Sequence, residues 1–339
     1  MRVLRIYPTA NDVRHRQRDL ALKELGIDVA LVAPVSYGPD WAPAAIEPEL
    51  PHWRSRLLNA QSIPFHLWDP RVLRRAVRDF APDVIDVHEE CYFPAAAQAV
   101  SAAAKAPVTM FAAQNITKRH PLPIRLMRRW VFSRVSAFYP CSNDAATVLR
   151  QWGYTGSAEV IPYGVEEALL SVHSNGERVG FIGSLVPQKG VNDLLGFGRR
   201  LLCVGDGPLA DAVRSAGGEV VIARSSEELA RQLERMGVLA MPSRTLPHLR
   251  EQFGRAVIEA MAAGVPIVGY ASGSLPEVVG DAGVLVREGD RHALVRAVES
   301  VLESPGEIGE RGRAKARERY RWRTVAEQMR ALYEYARSV

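Results

Sequence analysis

Cysteine is scarce here, with three in 339 residues (Cys91, Cys141, Cys203), far apart and without a Cys-x-x-Cys pair. So odd and scattered a set argues against a disulfide framework or a cysteine zinc site and points to a reducing compartment. No apolar run approaches the roughly 18–20 residues that span a bilayer. The opening stretch, Met1 to Asp19, has no apolar core of the kind a secretory signal carries. The expected location is therefore cytoplasmic. There is no Asp-x-Asp pair to hold a divalent ion between two carboxylates, so no metal is required and none is assigned a site. No nucleic-acid recognition motif accompanies the positive charge, and no nucleic-acid partner is expected.

What is present suits a globular enzyme. Hydrophobic residues make up 47% and charged residues 24%, and the length suits two domains. The net charge of +5 is uneven. Residues 1–165 carry 20 Lys and Arg against 15 Asp and Glu, whereas residues 166–339 balance at 23 each. The basic half could favour an anionic substrate or peripheral contact with the inner face of a membrane. A solvated arginine-rich surface is the simpler alternative.

Short apolar runs alternate with helical patterns in the βαβα rhythm of a parallel, doubly wound α/β sheet. Strands are expected at Val3–Tyr7, Val29–Ala33, Val84–Val87, Val108–Ala112, Ala137–Pro140 and Val160–Pro162, with helices at Gln17–Leu25, Pro94–Ala104, Ile124–Arg134 and Asn143–Trp152. The rhythm restarts near residue 178. Strands are expected at Val179–Ile182, Leu201–Val204, Val220–Ala223, Val238–Met241, Pro266–Tyr270 and Gly283–Val286, and a closing helix at Trp322–Ala336. Residues 163–177 read as a linker. The expectation is two Rossmann-like domains facing a cleft, residues 1–165 and 166–320, with the segment 321–339 crossing back onto the first.

The most informative segment runs from residue 242 to 286. A loop follows the strand ending at Met241, the Gly254 region opens an amphipathic helix, and Gly264 stops it. A helix start beside a strand end offers unpaired N–H groups and the positive end of a dipole, a ready place for a diphosphate. Glu251 lies just before this helix and Glu259 inside it, eight positions on, at most about 12 Å apart if helical throughout. Each carboxylate can accept two hydrogen bonds from a vicinal diol. The segment Glu251-Gln-Phe-Gly-Arg-Ala-Val-Ile-Glu259-Ala-Met-Ala-Ala-Gly264-Val-Pro266-Ile, continued by Gly273-Ser-Leu-Pro-Glu277 and Gly280-Asp-Ala-Gly283, resembles the signature of retaining glycosyltransferases of family 4, which have the GT-B fold. The resemblance implies that Glu259 holds the donor's ribose, while Glu251 and the backbone N–H groups of Phe253 and Gly254 hold its sugar and phosphate.

A second stretch, Gly183-Ser-Leu-Val-Pro-Gln-Lys189-Gly190, resembles the family's G-R-L-x-x-x-K-G loop. Lys189 matches the lysine that binds the diphosphate. Ser184 stands where the family has arginine, a departure that weakens leaving-group stabilisation unless Arg244 or Arg255 substitutes. Gly205-Asp-Gly-Pro208 resembles a turn of the family, and Arg224 falls near where the family lays the nucleobase. In the first half the usual glycine-rich turn reads Pro8-Thr-Ala-Asn-Asp-Val-Arg-His15, without glycine. His88 and Glu90 follow one strand, and Gln114, Asn115 and Arg119 follow the next; Gln-Asn stands where many members carry histidine.

The implied function is a retaining, metal-independent glycosyltransferase that moves a hexose-type sugar from a UDP- or GDP-linked donor to a hydroxyl acceptor, whether polysaccharide, lipid-linked intermediate or natural product. No cofactor is required. The catalytic set is Lys189, Glu251, Gln114 and Asn115. The donor set is Gly183, Ser184, Lys189, Arg224, Arg244, Glu251, Phe253, Gly254, Arg255 and Glu259, and the acceptor set His15, His88, Glu90 and Arg119. A sugar-nucleotide epimerase on the same fold and a non-catalytic sugar-nucleotide binder are the alternatives.

Overall fold

The computed structural model describes residues 1–11, 13–37, 46–47 and 49–339; within the expected first loop, Asp12 lies outside the described residues. The chain divides into two compact units, Met1–Pro162 with Arg323–Val339, and Tyr163–Trp322.

In the first unit, β1 (Arg2–Ile6), α1 (Val13–Glu24), β2 (Asp28–Pro34), β3 (His52–Ser55), α2 (Pro70–Phe80), β4 (Val84–Val87), α3 (Pro94–Ala102), β5 (Val108–Ala112), α4 (Leu122–Phe132), β6 (Ala137–Pro140), α5 (Asn143–Gln151) and β7 (Ser157–Ala158) follow one another along the chain. Their strands form a sheet in the order β3-β2-β1-β4-β5-β6-β7, every pairing parallel. Helices cover both faces of such a sheet, so its strands are apolar along their length rather than alternating. Val3, Leu4 and Ile6, and the run Val29 to Ala33, are buried accordingly.

The second unit continues with α6 (Glu167–Leu170), β8 (Arg178–Ile182), β9 (Leu201–Val204), α7 (Ala210–Ser215), β10 (Glu219–Val221), α8 (Ser226–Leu233), β11 (Met236–Met241), α9 (Arg255–Ala262), β12 (Ile267–Tyr270), α10 (Leu275–Val279), β13 (Gly283–Val286), α11 (Arg291–Glu303) and α12 (Ile308–Arg319). Its parallel sheet runs β10-β9-β8-β11-β12-β13, the same winding as the first. In each sheet the strand order reverses beside the opening strand, between β1 and β4 and between β8 and β11. A doubly wound sheet binds ligands at that switch point, outside the carboxyl ends of the strands.

The last helix, α13 (Trp322–Ser338), buries Val325, Met329, Leu332 and Tyr333 at helical spacing. Tyr333 donates to Asp86 Oδ2 at 2.8 Å inside the first unit. Asp86 on β4 is the register partner of Arg5 on β1 and receives Arg5 Nε at 2.7 Å and the Tyr139 hydroxyl at 2.5 Å. Asp19 on α1 bonds both Arg5 and Tyr7. These buried charges are thus paired and hydrogen-bonded, the condition under which burial is tolerated.

Some expectations shift. Residues 160–162 are not a strand. The short β7 precedes them, and although Ile161 N–H still reaches Pro140 O at 3.0 Å, neither Pro140 nor Pro162 has an N–H to extend a ladder. The stretch 163–177 contains the one-turn helix α6. Helix α1 begins at Val13, not Gln17, following a 3₁₀ turn at Pro8–Asn11 that takes the place of a glycine turn. The strand β3 and the helices α2, α10 and α12 had not been anticipated.

Candidate active site

The second unit's switch point is built from the loops that leave β8 and β11. The first loop passes Gly183 and the exposed Ser184 and ends in a 3₁₀ turn at Pro187–Lys189. Its backbone is tied to the end of β9 by Gly183 N–H to Val204 O, 3.0 Å, and to the loop after it by Leu185 N–H to Asp206 O, 2.8 Å. The second loop carries Ser243, Arg244 and Glu251 to the start of α9. Here Lys189 Nζ meets Glu251 Oε2 at 2.7 Å, and the Ser243 hydroxyl donates to the same oxygen at 3.2 Å. The Glu251 side chain is nearly enclosed, at 10% exposure, while Lys189 is a third exposed.

Helix α9 has a backbone reason for starting where it does. Gly254 is its N-cap at φ +89°, a left-handed conformation in which an added Cβ would also stand 3.0 Å from Leu275 Cδ2. The N-cap Gly254 offers no side chain to cap this end, and the first turn of a helix has no carbonyl of its own within reach of its N–H groups. At the other end Gly264 N–H bonds Met261 O and Val265 N–H bonds Ala260 O, a Schellman closure. Glu251 is in the loop just before the helix, where the sequence reading puts it. Glu259 is half-buried in the helix's second turn. Gly273 fixes the loop from behind. At φ +54°, its Cβ would fall 2.2 Å from Glu251 O, while Ser274 N–H bonds that same carbonyl at 3.1 Å.

Arg244 sits beside the lysine loop, its N–H on Gln188 O at 2.9 Å. Its Nη2 reaches both oxygens of Asp193, at 2.9 and 2.7 Å, and this carboxylate raises the pKa of the guanidinium. Tyr270 donates to Asp193 Oδ2 at 2.8 Å. Arg244 is therefore anchored through Nη2. Asp193, Ser243 and Ser274 were not singled out from sequence. Each is an ordinary polar residue, and what marks it is a partner 8 to 77 positions away. Arg255 lies over the Tyr163 ring, 5.8 Å from its centroid, and Phe253 is buried between Tyr163 and Tyr320. Arg224 is exposed after β10, its N–H on Glu228 Oε2 at 2.6 Å, and it has no hydrogen bond to the Lys189–Glu251 group.

In the first unit the carboxyl ends of β4 and β5 bring four expected residues together. His88 stacks on Phe111, with centroids 3.8 Å apart and planes 9° apart. Its Nδ1 is buried with no hydrogen-bond partner among the described residues, and burial, reinforced by Arg18, Arg5 and His15, drives its pKa well below the usual histidine value. Glu90 Oε1 accepts from the N–H groups of Ala113 and Gln114, at 2.9 and 3.0 Å. Its Oε2 is buried with no partner among the described residues, and burial outweighs those two bonds to push its pKa up to about 7. The Gln114 amide is engaged at both ends, by the Tyr92 hydroxyl at 3.0 Å and Ile116 N–H at 3.2 Å. Asn115 is buried next to it. His15, on α1, lies 3.3 Å from the Thr9 hydroxyl, and Arg119 is exposed further along the loop after β5. Among the described residues no three His, Cys, Asp or Glu side chains are grouped as a metal site would require.

The family model described as Glycosyltransferase Family 4 matches residues 20–169, and that described as Glycosyl transferases group 1 matches residues 176–304. The MMP alpha-(1->4)-mannosyltransferase of Mycolicibacterium hassiacum is 32% identical over 247 residues, 62% of this chain and 59% of that protein. The 2-deoxystreptamine glucosyltransferase of Streptomyces kanamyceticus is 28% identical over 228 residues, 56% of this chain and 57% of that protein. The chain thus spans under three fifths of the length of these curated relatives. Among solved structures, the sucrose-phosphate synthase of Thermosynechococcus elongatus superposes with a TM-score of 0.77 at 18% identity, over 98% of each chain. Anabaena HepE, in complex with UDP, superposes with a TM-score of 0.75 at 18% identity, over 98% of this chain and 100% of that one. These structural likenesses concern the fold, which is GT-B. With one family model on each half of its length and the signature loops at the second switch point, the chain belongs to the family 4, group 1 glycosyltransferases.

Proposed function

We propose that the protein transfers a hexose-type sugar from a nucleoside diphosphate donor to a hydroxyl acceptor, with retention at the anomeric carbon and no requirement for a metal. The observation that carries this reading is the Lys189–Glu251 contact of 2.7 Å at the β8/β11 switch point, beside the uncapped start of α9. In this reading the donor's diphosphate takes Lys189 as its counter-ion and lies against the first N–H groups of α9. Glu251, released from the lysine, accepts hydrogen bonds from the donor sugar, and Glu259 accepts from the ribose. Arg244, fixed by Asp193, offers its remaining nitrogens to the phosphate where Ser184 supplies no guanidinium. That HepE was crystallised with UDP supports a uridine donor, and GDP-linked sugars remain compatible.

Transfer follows from these groups. The acceptor oxygen forms its bond to the anomeric carbon on the face the leaving group quits, the bond from that carbon to the phosphate oxygen breaks, and the acceptor's proton passes to that oxygen. Lys189 and the helix start stabilise the charge that develops on the diphosphate. His88, Glu90, Gln114 and Asn115 form the acceptor side of this proposal. The excess positive charge of residues 1–165 would serve a membrane surface or an anionic acceptor. The test is transfer of isotope-labelled sugar from UDP- and GDP-linked hexoses into an acceptor library. A labelled glycoside of unchanged anomeric configuration is expected. A donor altered only in sugar configuration would favour the epimerase alternative, and binding without product or hydrolysis would favour the non-catalytic one.

A further inference from the structure

Helix α4 of the first unit leaves one face outward. Leu122, Arg125, Leu126 and Arg129 recur at the i, i+3, i+4, i+7 spacing of a single stripe. The two leucines are 61% and 59% exposed, among the most exposed large apolar side chains of the described residues. The stripe borders a groove of about 730 Å³ that continues past Trp152, Tyr154 and Tyr335.

Among the described residues no Asp or Glu side chain lines this groove, and its lining holds a buried cation. Arg128 is only 8% exposed, yet among the described residues its side chain hydrogen-bonds only Nδ1 of His120, at 3.0 Å, with Trp152 beneath its guanidinium at 4.6 Å from the ring centroid. Burial lowers its pKa, and no carboxylate opposes that shift. A buried guanidinium without a counter-ion is costly unless an anion arrives to pair with it. Arg125 and Arg129 stand at the rim to meet the same anion. A small soluble anion would account for the arginines but not for two leucines held in water beside them. An interface of phosphate head groups over acyl chains accounts for both, because arginine stems and aromatic edges settle at that level while leucines enter below it.

We propose that this groove and the outer face of α4 dock the protein on an anionic phospholipid surface, a lipid phosphate entering the groove toward Arg128. This locates, and rests on, the membrane contact allowed for in the proposed function. The test is co-sedimentation of the full chain with phosphatidylcholine vesicles, alone and with about one third phosphatidylglycerol. Association with the anionic vesicles alone is expected, released at about 1 M salt, where screening falls to a few ångströms. Two double variants on the exposed stripe, Leu122→Ser with Leu126→Ser and Arg125→Gln with Arg129→Gln, should each lower the bound fraction about ten-fold; Arg128→Gln, which touches the interior, is read only if its melting curve is normal. Equal capture by neutral vesicles, no capture by anionic ones, retention in both double variants, or competition by inorganic phosphate for the groove without any vesicle association would each overturn the proposal. Nucleoside diphosphate affinity is measured on the same samples. Failure here with intact nucleotide binding leaves the donor assignment standing, and the reverse outcome separates the two equally well.

Discussion

Lys189 and Glu251, 62 positions apart in the chain, place Nζ and Oε2 2.7 Å from each other where the loops from two adjacent strands meet. The pair answers a problem posed by the site itself. In the proposed function the lysine receives a diphosphate and the carboxylate sugar hydroxyls; with no donor bound each serves as the other's partner. Because the lysine is a third exposed, the ion pair itself adds at most about 1 kcal/mol to stability. Lys189→Ala should therefore melt within a few degrees of the parent while its turnover falls about 100- to 1000-fold through loss of leaving-group stabilisation. Steady-state kinetics beside a melting curve decides it: a variant of normal turnover would remove the lysine from the leaving-group role.

Asp193 is the residue on which Arg244 depends. It accepts both Arg244 contacts and the Tyr270 hydroxyl while being 8% exposed. Asp193→Ala leaves a buried phenol and a guanidinium without their acceptor and should cost about 1–3 kcal/mol in urea unfolding. Donor KM should rise as well, since Arg244 would lose its fixed position. A fall in stability with unchanged donor kinetics would confine Asp193 to structure.

Gly273 tests the geometry without removing any functional group. Its left-handed backbone and the 2.2 Å approach of an added Cβ to Glu251 O mean that Gly273→Ala must displace the Glu251 loop. Catalytic efficiency should drop by at least about ten-fold, because an ångström of misplacement near reacting groups costs that much or more. Efficiency equal to the parent would show that the loop's position is not critical.

Glu90 gives the first unit a signature in pH. Its folded pKa, about 7, lies above the ordinary 4.5, so the folded state holds its proton more tightly than the unfolded chain does. Its contribution to stability is complete below about pH 4.5 and is lost as pH rises through 7, at most about 3 kcal/mol across that window. Glu90→Gln should flatten the decline of stability between pH 5 and 7. An unaltered pH profile would mean that the carboxyl is not buried in this way.

Much of the fold could be read from apolar runs, because strands covered on both faces keep no polar alternation. Val84–Val87, Val108–Ala112, Ala137–Pro140, Leu201–Val204 and Gly283–Val286 appear with the bounds the sequence gives them. Helix α12 could not be read that way. Its buried face is three small residues, Gly309, Gly312 and Ala316, and one arginine, Arg313, whose Nη2 bonds Ala263 O at the α9 end, so no apolar period marks it. The edge strand β3, His-Trp-Arg-Ser, is short and half-buried and gives no run at all. At the site, motif spacing isolates Lys189, Glu251, Gly254 and Glu259 one by one. What brings the first two into contact is strand order, which motif spacing does not state. Arg5 and Asp86 were legible in principle, as charges inside otherwise apolar strands, and their pairing across β1 and β4 explains how they are tolerated.

The donor assignment is tested most directly by calorimetric titration of UDP and GDP into the parent protein and into Glu259→Ala. One of the two nucleotides is expected to bind the parent with one-to-one stoichiometry and to bind the variant at least about ten-fold more weakly, the loss of roughly one pair of ribose hydrogen bonds to a charged acceptor. Absence of binding to the parent, or equal affinity in parent and variant, would contradict the placement of the nucleotide at the start of α9.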